Sequence, residues 1–427
     1  MTSITEMTVE SVVQALIDYR GKTPQKSDSG VRLITAKVIK QGRIEEDPAE
    51  YIAEDSYDTW MRRGLPQEGD SLITTEAPLG EVAMIGGDAR IALAQRVILL
   101  RANPAVILPR FLYYELQTDF VQAGLAARST GTTVLGIKQS ELRQVKVRVL
   151  PLPAQRRIAS ILSAYDDLIE NHRKRIAILE EMARRRYREW FVHFRYPGHE
   201  AMSLVDSPLG RIPQEWKATT LEAVCSEDCG IQTGPFGSQL HESDYSPSGV
   251  PVVMPRILIG FRIDATDADH IPEETAQRLT RHRMQSGDIV YGRRGDIGRR
   301  AFISQKHVGW FCGTGCLRIR PNREIICPFY LFNHLGQDAV LSNIRGRAQG
   351  VTLPNLSASV MESVPITVPP RLVQKSFESA ALPMHELAEN LHDQIDVLRR
   401  TRDLLLPRLM SGTLSVEALA TAEAAVP

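Results

Sequence analysis

The sequence predicts a mixed α/β (α+β) protein with two tandem globular domains, each followed by a long helix. Two observations lead to this prediction. The chain aligns with itself without a gap over Arg101–Ile176 and Arg320–Ile395, so it contains an internal duplication. Each copy also ends in a segment whose apolar residues recur at steps of three and four, which is typical of a helix that pairs with another helix.

The duplication covers whole domains. Upstream of the gap-free region, one residue of slippage pairs Gly69-Asp70 with Gly287-Asp288. The identical pairs include Arg101/Arg320, Asn103/Asn322, Pro109/Pro328, Arg128/Arg347, Gly131/Gly350, Thr133/Thr352, Gln155/Gln374, Glu170/Glu389 and Asn171/Asn390. A period this long indicates a duplicated domain with the helix behind it, and not a solenoid.

Two heptad seams predict helices of about 40 residues, or about 60 Å each. The first seam consists of Ile158, Leu162, Tyr165, Ile169, His172, Ile176, Leu179, Ala183, Arg186 and Trp190. The second consists of Phe377, Ala381, Met384, Ala388, Leu391, Ile395, Leu398, Arg402, Leu405 and Leu409. A helix this long with one apolar stripe must pack on a partner. We expect the two helices to form an antiparallel coiled coil.

The predicted boundaries follow from the repeat and the two seams. The segments are residues 1–150 (first domain), 151–197 (first helix), 198–368 (second domain), 369–415 (second helix) and 416–427 (C-terminal tail). In the first domain we predict strands at Val31–Ile39, Asp70–Thr74, Glu81–Ile85 and Val97–Arg101 and a helix at Pro109–Gln122. In the second we predict strands at Gly249–Ile257, Asp288–Tyr291, Arg300–Ile303 and Cys316–Arg320 and a helix at Pro328–Leu341.

Composition limits the class of protein. Lys and Arg together number 51, as do Asp and Glu, so the formal net charge is zero. This excludes binding of nucleic acid through bulk basicity, but not through local basic patches. No apolar run approaches the roughly 18 residues of a transmembrane helix, and Met1–Arg20 lacks the features of a signal peptide. We therefore expect a soluble, cytoplasmic protein without a membrane partner.

The motifs contain no recognisable catalytic set. There is no Gly-x-Gly-x-x-Gly after a strand, no P-loop and no His-Glu-x-x-His, so we predict no catalytic residue. Gly234-Pro235-Phe236-Gly237-Ser238 is interpreted as a recognition or packing loop, since its proline removes a donor that a phosphate cradle would use.

The cysteine spacing raises the alternative of a zinc site. Cys225-x3-Cys229 and Cys312-x3-Cys316 are spaced as zinc ligands can be. Cys312 and Cys316, however, align with Leu93 and Val97, which favours buried apolar strand positions over ligands. We interpret His172 as a partly polar seam position rather than a ligand or pH sensor, because its repeat mate is Leu391. No metal site is predicted.

The strongest functional signal is cationic. Six arginines lie between Arg281 and Arg300 against two acids, and four of them flank the turn Gly295–Gly298: Arg293, Arg294, Arg299 and Arg300. A hairpin tip that presents these four together would suit phosphates or guanine edges. The alternative is a solvated charged face. The first copy has Ala77, Pro78, Glu81 and Val82 at the aligned places.

Two polar loops add to this signal. They contribute Arg128, Thr132, Thr133 and Lys138 in the first copy and Arg347, Gln349 and Thr352 in the second. Small polar residues mixed with Arg, Lys and Gln suit close approach to phosphates and base edges. These seven residues and the four arginines are the candidate DNA-binding residues.

The whole chain resembles the specificity subunits of type I restriction-modification systems. The stretches that carry the resemblance are Leu152-Pro153-Ala154-Gln155-Arg156-Arg157-Ile158-Ala159-Ser160-Ile161-Leu162, Asp166-Asp167-Leu168-Ile169-Glu170-Asn171, Trp190-Phe191-Val192, Gly234-Pro235-Phe236-Gly237-Ser238, Gly287-Asp288-Ile289-Val290 and Leu353-Pro354-Asn355-Leu356. The second copy departs from the pattern at Phe377-Glu378-Ser379.

The resemblance implies a targeting subunit that is not itself an enzyme. Each globular domain would be a target recognition domain that reads one half of a bipartite target in the major groove of double-stranded DNA. The helices would fix the spacing of the half-sites and dock methyltransferase subunits. Those partners would bring S-adenosylmethionine, and restriction (translocase) subunits would bring ATP and Mg²⁺; this chain would bind no cofactor.

Two other classes remain as alternatives. One is a DNA methyltransferase or nuclease with an unrecognised active site, which would need clustered acids in a cleft. The tight acidic pairs Glu45-Glu46 and Asp166-Asp167 fall in a predicted loop and on a predicted helix instead. The other is a coiled-coil scaffold with no role on DNA.

Overall fold

The computed structural model describes residues 4–19, 21, 23–87, 90–228, 230–237, 239–348 and 355–414. The chain divides into two compact units, one of residues 1–172 with 394–427 and one of residues 173–393. Each unit thus combines one globular domain with parts of both long helices. The predicted segment boundaries follow the sequence repeat, whereas this division follows contacts in space.

The first unit is mixed α and β. Its strands are β1 (Thr5–Thr8), β2 (Val13–Asp18), β3 (Lys26–Ser27), β4 (Val31–Ile34), β5 (Ile39–Lys40), β6 (Arg43–Ile44), β7 (Tyr51–Ile52), β8 (Ser71–Thr75), β9 (Leu79–Met84), β10 (Ala92–Leu93), β11 (Val97–Ala102) and β12 (Lys146–Val149). Its short helices are α1 (Val9–Val12), α2 (Tyr57–Trp60), α3 (Pro109–Leu116), α4 (Asp119–Ala127) and α5 (Gln139–Arg143). The long helix α6 (Leu152–Tyr187) begins in this unit.

The second unit has the same composition. Its strands are β13 (Leu204–Ser207), β14 (Gly210–Pro213), β15 (Lys217–Thr220), β16 (Ile231–Thr233), β17 (Val250–Val253), β18 (Leu258–Ile259), β19 (Arg262–Ile263), β20 (Asp269–Ile271), β21 (Ile289–Gly292), β22 (Arg300–Phe302), β23 (Phe311–Cys312), β24 (Cys316–Ile319) and β25 (Pro365–Val368). Its short helices are α7 (Glu273–Arg278), α8 (Pro328–His334), α9 (Asp338–Arg347) and α10 (Ala358–Glu362). The long helix α11 (Arg371–Met410) begins here.

The two domains repeat one sheet topology. The four-stranded sheet β2-β11-β8-β9 is antiparallel and corresponds to β16-β24-β21-β22 in the second copy. A second sheet, β10-β4-β7-β3, corresponds to β23-β17-β20, and in each the pair β10-β4 or β23-β17 is parallel. Apolar residues on both faces of these strands form the buried core.

Four predicted elements, two in each copy, are interrupted in the structure, and one of them, the predicted strand Gly249–Ile257, is β17 followed by a 3-10 turn at Pro255–Ile257. The predicted strand Val31–Ile39 is β4, then a 3-10 turn at Ala36–Val38, then β5. The predicted helix Pro109–Gln122 is two helices, because α3 ends at Leu116 and Thr118 caps α4 by accepting a hydrogen bond from the Val121 N–H. The second copy breaks at the equivalent place, between α8 and α9.

The two long helices pair in antiparallel fashion, as predicted. In the first unit the start of α6 lies against the end of α11, where Arg402 Nη1 is 2.5 Å from Asp166 Oδ1 and Leu409 and Met410 are buried in the domain core. In the second unit the end of α6 lies against the start of α11, with the rings of Tyr187 and Phe377 5.7 Å apart.

The seam differs from the prediction at the end of α6. Tyr187 and Phe191 are the buried residues there, rather than the predicted Arg186 and Trp190. The helix continues as a π-helix over Arg188–Val192, and the two aromatic rings join the aromatic core of the second unit. No helix within the described residues is long and apolar enough to cross a bilayer.

A buried glutamine ties each domain to the helix that follows it. The Gln155 side chain accepts the Leu108 N–H at 2.8 Å and donates to the Leu150 carbonyl at 2.7 Å. Its repeat mate Gln374 accepts the Cys327 N–H at 2.7 Å and donates to the Pro369 carbonyl at 2.6 Å. These equal roles explain why the duplication retains glutamine at both places.

Candidate nucleic-acid interface

The arginine-rich turn of the second domain connects β21 to β22. Arg300 begins β22 and is buried, with its Nε 3.0 Å from the Phe332 carbonyl and its guanidinium over the rings of Phe261 and Phe332 at 4.9 and 5.1 Å. Burial lowers its pKa to about 10. Arg300 is therefore a packing residue whose charge lies against backbone carbonyls and aromatic faces.

Arg293, at the other end of the turn, is also buried. Its Nε donates to the Leu356 carbonyl at 3.0 Å, and its guanidinium lies 5.8 Å from the ring of Phe236, a half-exposed aromatic. Its buried Nη1 has no hydrogen-bond partner among the described residues. Burial, reinforced by the charge of Arg294, lowers the Arg293 pKa.

Arg294 and Arg299 are the exposed pair of this turn. Arg299 Nε is 3.0 Å from Asp296 Oδ2. The expectation that a hairpin tip presents all four arginines together is therefore wrong, since two face inward. The reason lies in Ile297, which is buried in the core and whose carbonyl accepts a hydrogen bond from Arg345 Nε at 3.0 Å, so the turn is folded down rather than projecting.

The polar loop of the first domain is tightly closed. Thr130 and Gly136 exchange two backbone hydrogen bonds of 2.8 and 2.9 Å, and Thr132 and Thr133 lie exposed between them. Gly131 has a φ of +120°, and a Cβ there would lie 2.1 Å from the Val134 carbonyl oxygen, so glycine is required. Arg128, before the loop, pairs with Glu141 at 3.0 Å.

Lys138 lies at the rim of a cleft of about 350 Å³ in the first unit. The cleft is lined by Gly21, Thr75, Glu76, Gln95, Arg96, Thr130, Val134, Gly136, Ile137 and Lys138. Glu76 and Arg96 form an ion pair of 2.6 Å in this cleft, and both side chains are about half exposed. The cleft thus offers a carboxylate acceptor and a guanidinium donor beside the loop of Thr132 and Thr133.

The corresponding loop of the second domain is described only in part. Arg347 is exposed and bonds locally, with Nε 2.7 Å from Asn343 Oδ1 and Nη1 2.9 Å from Ser363 Oγ. Gln349 and Thr352 lie outside the described residues. The assignment of the eleven candidates to DNA remains a prediction.

The two domains share one backbone frame around these residues. In the first, the Thr75 N–H donates to the Arg96 carbonyl and the Thr75 carbonyl accepts from the Ile137 N–H, both at 3.0 Å. In the second, Arg293 makes the same two bonds, with Gly315 at 3.0 Å and with Leu356 at 2.9 Å.

The next residue in each frame forms an isolated bridge. Glu76 bridges Gly136 in the first domain, and Arg294 bridges Asn355 in the second. The structure therefore aligns Thr75 and Glu76 with Arg293 and Arg294. The aligned places given above as Ala77 and Pro78 are wrong by two residues, because the one-residue slippage at Asp70 and Asp288 continues through the turn.

Sequence reasoning missed three members of this region: Glu76, Arg96 and Phe236. The sequence did contain a signal for Glu76. The one-residue slippage that aligns Asp70 with Asp288 also aligns Glu76 with Arg294 if it is kept through the following residues. Phe236 lay in a loop interpreted as recognition or packing, and its half-exposed ring beside Arg293 could not be read from that motif.

The cysteines lie in the core. Cys312 and Cys316 are buried in β23 and β24, as expected of apolar strand positions, and burial raises the pKa of Cys312 to about 12. Cys225 is buried as well, whereas Cys229 lies outside the described residues. The described part of the chain holds no group of three or more His, Cys, Asp or Glu placed to bind a metal. His172 is buried in the helix seam.

Comparison with known proteins identifies the family. A family model described as the type I restriction modification DNA specificity domain matches residues 19–181 and 268–377. The chain is 28% identical to the type I restriction enzyme MjaIX specificity subunit of Methanocaldococcus jannaschii, over 82% of this chain and 79% of that protein. It is 24% identical to the putative type I restriction enzyme MjaX specificity subunit of the same organism, over 81% and 78%.

A solved structure has the same fold. The crystal structure of the type I restriction-modification S subunit from M. genitalium matches with a TM-score of 0.60 and 16% identity, covering 96% of both chains. The family model alone spans more than half of this chain. With its duplicated domains and paired helices, the chain belongs to the type I restriction-modification DNA specificity family, as a non-catalytic specificity subunit.

Proposed function

We propose that each globular domain reads one half of a bipartite target in the major groove of double-stranded DNA. The observation that carries this proposal is the shared backbone frame, which holds different exposed side chains in the two copies. In the first domain the exposed Thr132 and Thr133 lie in the loop closed by Thr130 and Gly136, and Lys138 follows Ile137 of the frame. In the second, the exposed Arg294 follows Arg293 of the frame, and Arg299 lies at the other end of the same turn. Two readers with one frame and different side chains suit two different half-sites.

The helices would fix the spacing between the half-sites. Helix α6 leads along the chain from the first domain to the second, and Gln155 and Gln374 tie each domain to its following helix. The Asp166–Arg402 pair and the Tyr187–Phe377 contact set the register of the helix pair in the first and second unit respectively. A helix pair held in register acts as a spacer of fixed length.

Exposed aliphatic residues support docking of methyltransferase subunits on the helices. Leu168 on α6 and its repeat mate Leu387 on α11 are 43% and 39% exposed, and the mates Ile178 and Val397 are 59% and 55% exposed. Apolar residues exposed at equivalent positions of both copies suit two identical partners, because each copy offers the same contacts. In the proposed complex these partners bring S-adenosylmethionine, restriction subunits bring ATP and Mg²⁺, and the assembly works on DNA in the cytoplasm.

Selection from a random duplex pool tests the proposal. The full chain, assembled with methyltransferase subunits, should enrich two short conserved blocks separated by a spacer of constant length. Removing seven facing residues from each helix shortens the pair by about 10 Å, so the spacer should shrink by about three base pairs while both blocks persist. A changed block with an unchanged spacer would contradict the spacer role.

Exchanging residues 1–150 for the equivalent domain of a relative tests independent reading. One block should be replaced and the other retained. Loss of both blocks from a folded chimera would contradict independent reading.

A further inference from the structure

At one position next to the shared frame the charge is reversed between the two domains. Glu76 and Arg294 each follow the residue that makes the two frame hydrogen bonds, and each forms the isolated bridge described above. The two side chains therefore leave the backbone at the same place in each domain. One ends in a carboxylate and the other in a guanidinium.

Both side chains are accessible. The Glu76 side chain is 42% exposed within the cleft of the first unit, and Arg294 is exposed. Arg293, one residue earlier, is buried and fixes the backbone beneath Arg294 through the Leu356 carbonyl. An exposed side chain on a fixed backbone can discriminate between base edges, because its reach and direction are limited.

The two side chains also differ in whether an oppositely charged residue pairs with them. Glu76 faces Arg96 at 2.6 Å, so its carboxylate is held in place by a cation. In the second domain the equivalent of Arg96 is Gly315, which makes the same frame hydrogen bond without a side chain. Arg294 makes no ion pair with any residue that the structure describes. Its guanidinium can therefore form a bidentate hydrogen bond with a ligand.

We propose that this position is a base-reading position of each domain, and that its residue sets which base is read. Glu76 accepts a hydrogen bond from the exocyclic amino group of a cytosine in the first half-site. Arg294 donates to O6 and N7 of a guanine in the second half-site. The inference rests on the proposed reading of half-sites and adds the residue and the base.

The adjacent pair Glu81 and Arg299 also differs in charge but is engaged locally. Glu81 accepts the Gln41 N–H at 3.0 Å, and Arg299 pairs with Asp296 at 3.0 Å. Of the two charge-reversed positions, only that of Glu76 and Arg294 lies on the isolated bridge that both domains share. Its arginine also has no ion-pair partner among the described residues, whereas Arg299 has one.

The test is base preference measured by selection from a random duplex pool, using the full chain assembled with methyltransferase subunits. E76Q should reduce the preference for cytosine at one position of the first half-site about tenfold, since a neutral amide accepts less strongly and can also donate. R294A should reduce the preference for guanine at one position of the second half-site by a similar factor. The charge-exchange variants E76R and R294E should change the preferred base at those positions.

Matched controls separate base reading from a general loss of charge. Glu54, an exposed glutamate paired with Arg90, is the control for Glu76, and Arg256, an exposed arginine 2.7 Å from Asp269, is the control for Arg294. E54Q and R256A should leave both half-sites unchanged. The thermal midpoint of each variant, measured alongside, should stay close to the wild-type value because none of the four side chains is buried.

The outcomes distinguish this inference from the function on which it rests. If the wild-type assembly enriches no bipartite motif, the proposed function fails. If the wild type enriches one and the folded E76Q and R294A variants enrich the same motif with the same preferences, the inference is overturned and the function stands. Equal weakening of all sequences by R294A would assign this arginine to phosphate and would also overturn the inference.

Discussion

The two domains keep the same backbone but differ in the charges they bury. Val82, buried in the first domain, is replaced by Arg300 in the second, and the buried Thr75 is replaced by Arg293. The difference shows that backbone hydrogen bonds define the fold, whereas buried side chains can exchange apolar for basic chemistry if carbonyls and aromatic rings receive the charge.

The same contrast occurs where the helices meet each domain. In the first unit Asp166 accepts from Tyr114 Oη at 2.6 Å and from Arg402. Its repeat mate in the second unit is His385, whose ring lies 5.4 Å from that of Phe329. Burial lowers the His385 pKa to about 4. The position that carries an ion pair in the first copy is thus occupied in the second by a neutral histidine packed in an aromatic cluster.

The largest expected difference is sensitivity to acid. Five histidines of the second unit have a pKa lowered to about 4, mainly by burial: His282, His307, His334, His385 and His392. Their ordinary pKa is about 6.5, so the unfolded chain takes up protons first as pH falls. The stability that these neutral histidines contribute to the second unit is therefore fully present above about pH 6.5 and is lost as the pH falls from about 6.5 towards 4.

The first unit should resist the same change. It contains a single histidine, His172, and at the place of His334 it has Glu115, whose carboxyl pKa is raised by burial despite its pairing with Arg148. A raised carboxyl pKa favours the folded state as pH falls. Hydrogen exchange resolved by peptide should show the second unit opening first, and simultaneous opening of both units would contradict the comparison.

The next largest effect concerns Arg300. R300A leaves the Phe332 carbonyl unpaired and removes the side chain packed between two aromatic rings, so the free energy of unfolding should fall by about 2–4 kcal/mol. R300M, which keeps most of the volume, should recover part of the loss. The measurement is a denaturant titration. Wild-type stability of R300A would show that the guanidinium does not support the core.

The glutamine ties should have equal importance in both copies. Q155L removes the partner of the Leu108 N–H and of the Leu150 and Val106 carbonyls, and Q374L removes that of the Cys327 N–H and the Pro369 carbonyl, at a cost of about 1–3 kcal/mol in each case. Gln144 is exposed and provides the control Q144L, for which no change is expected. A loss confined to one copy in thermal unfolding would mean that the two ties are not equivalent.

The smallest effect on stability is expected at Arg299. Its exposed pair with Asp296 contributes about 0.5 kcal/mol or less, so R299A should unfold as the wild type does. If Arg299 contacts a phosphate, the variant should bind every DNA sequence more weakly and by about the same factor. The slope of log affinity against log salt concentration should then fall in magnitude by about one unit. An unchanged salt slope would assign Arg299 to the solvated surface.

The internal repeat and the apolar periodicity predicted the two domains and the two long helices, because buried hydrogen bonds and helix packing require particular residues at fixed spacings. Gln155 and Gln374 recur since both must satisfy buried groups, and the seam residues recur since the helices must pack. The inward direction of Arg293 and Arg300 could not be predicted, because a run of arginines has no period and the deciding contact is between Ile297 in the turn and Arg345 of α9. Glu76 follows β8 and Arg96 precedes β11, so their pairing depends on these two strands meeting in the sheet and has no local signal.

The burial of Leu409 and Met410 in the core of the first unit also bears on how the chain folds during synthesis. The second unit is a continuous stretch, residues 173–393, and can fold as soon as it leaves the ribosome. The first unit is made first but lacks residues 394–410 until translation has passed them. The domain that emerges earliest should therefore be the last to complete its core, and until then it exposes the apolar surface that those residues cover.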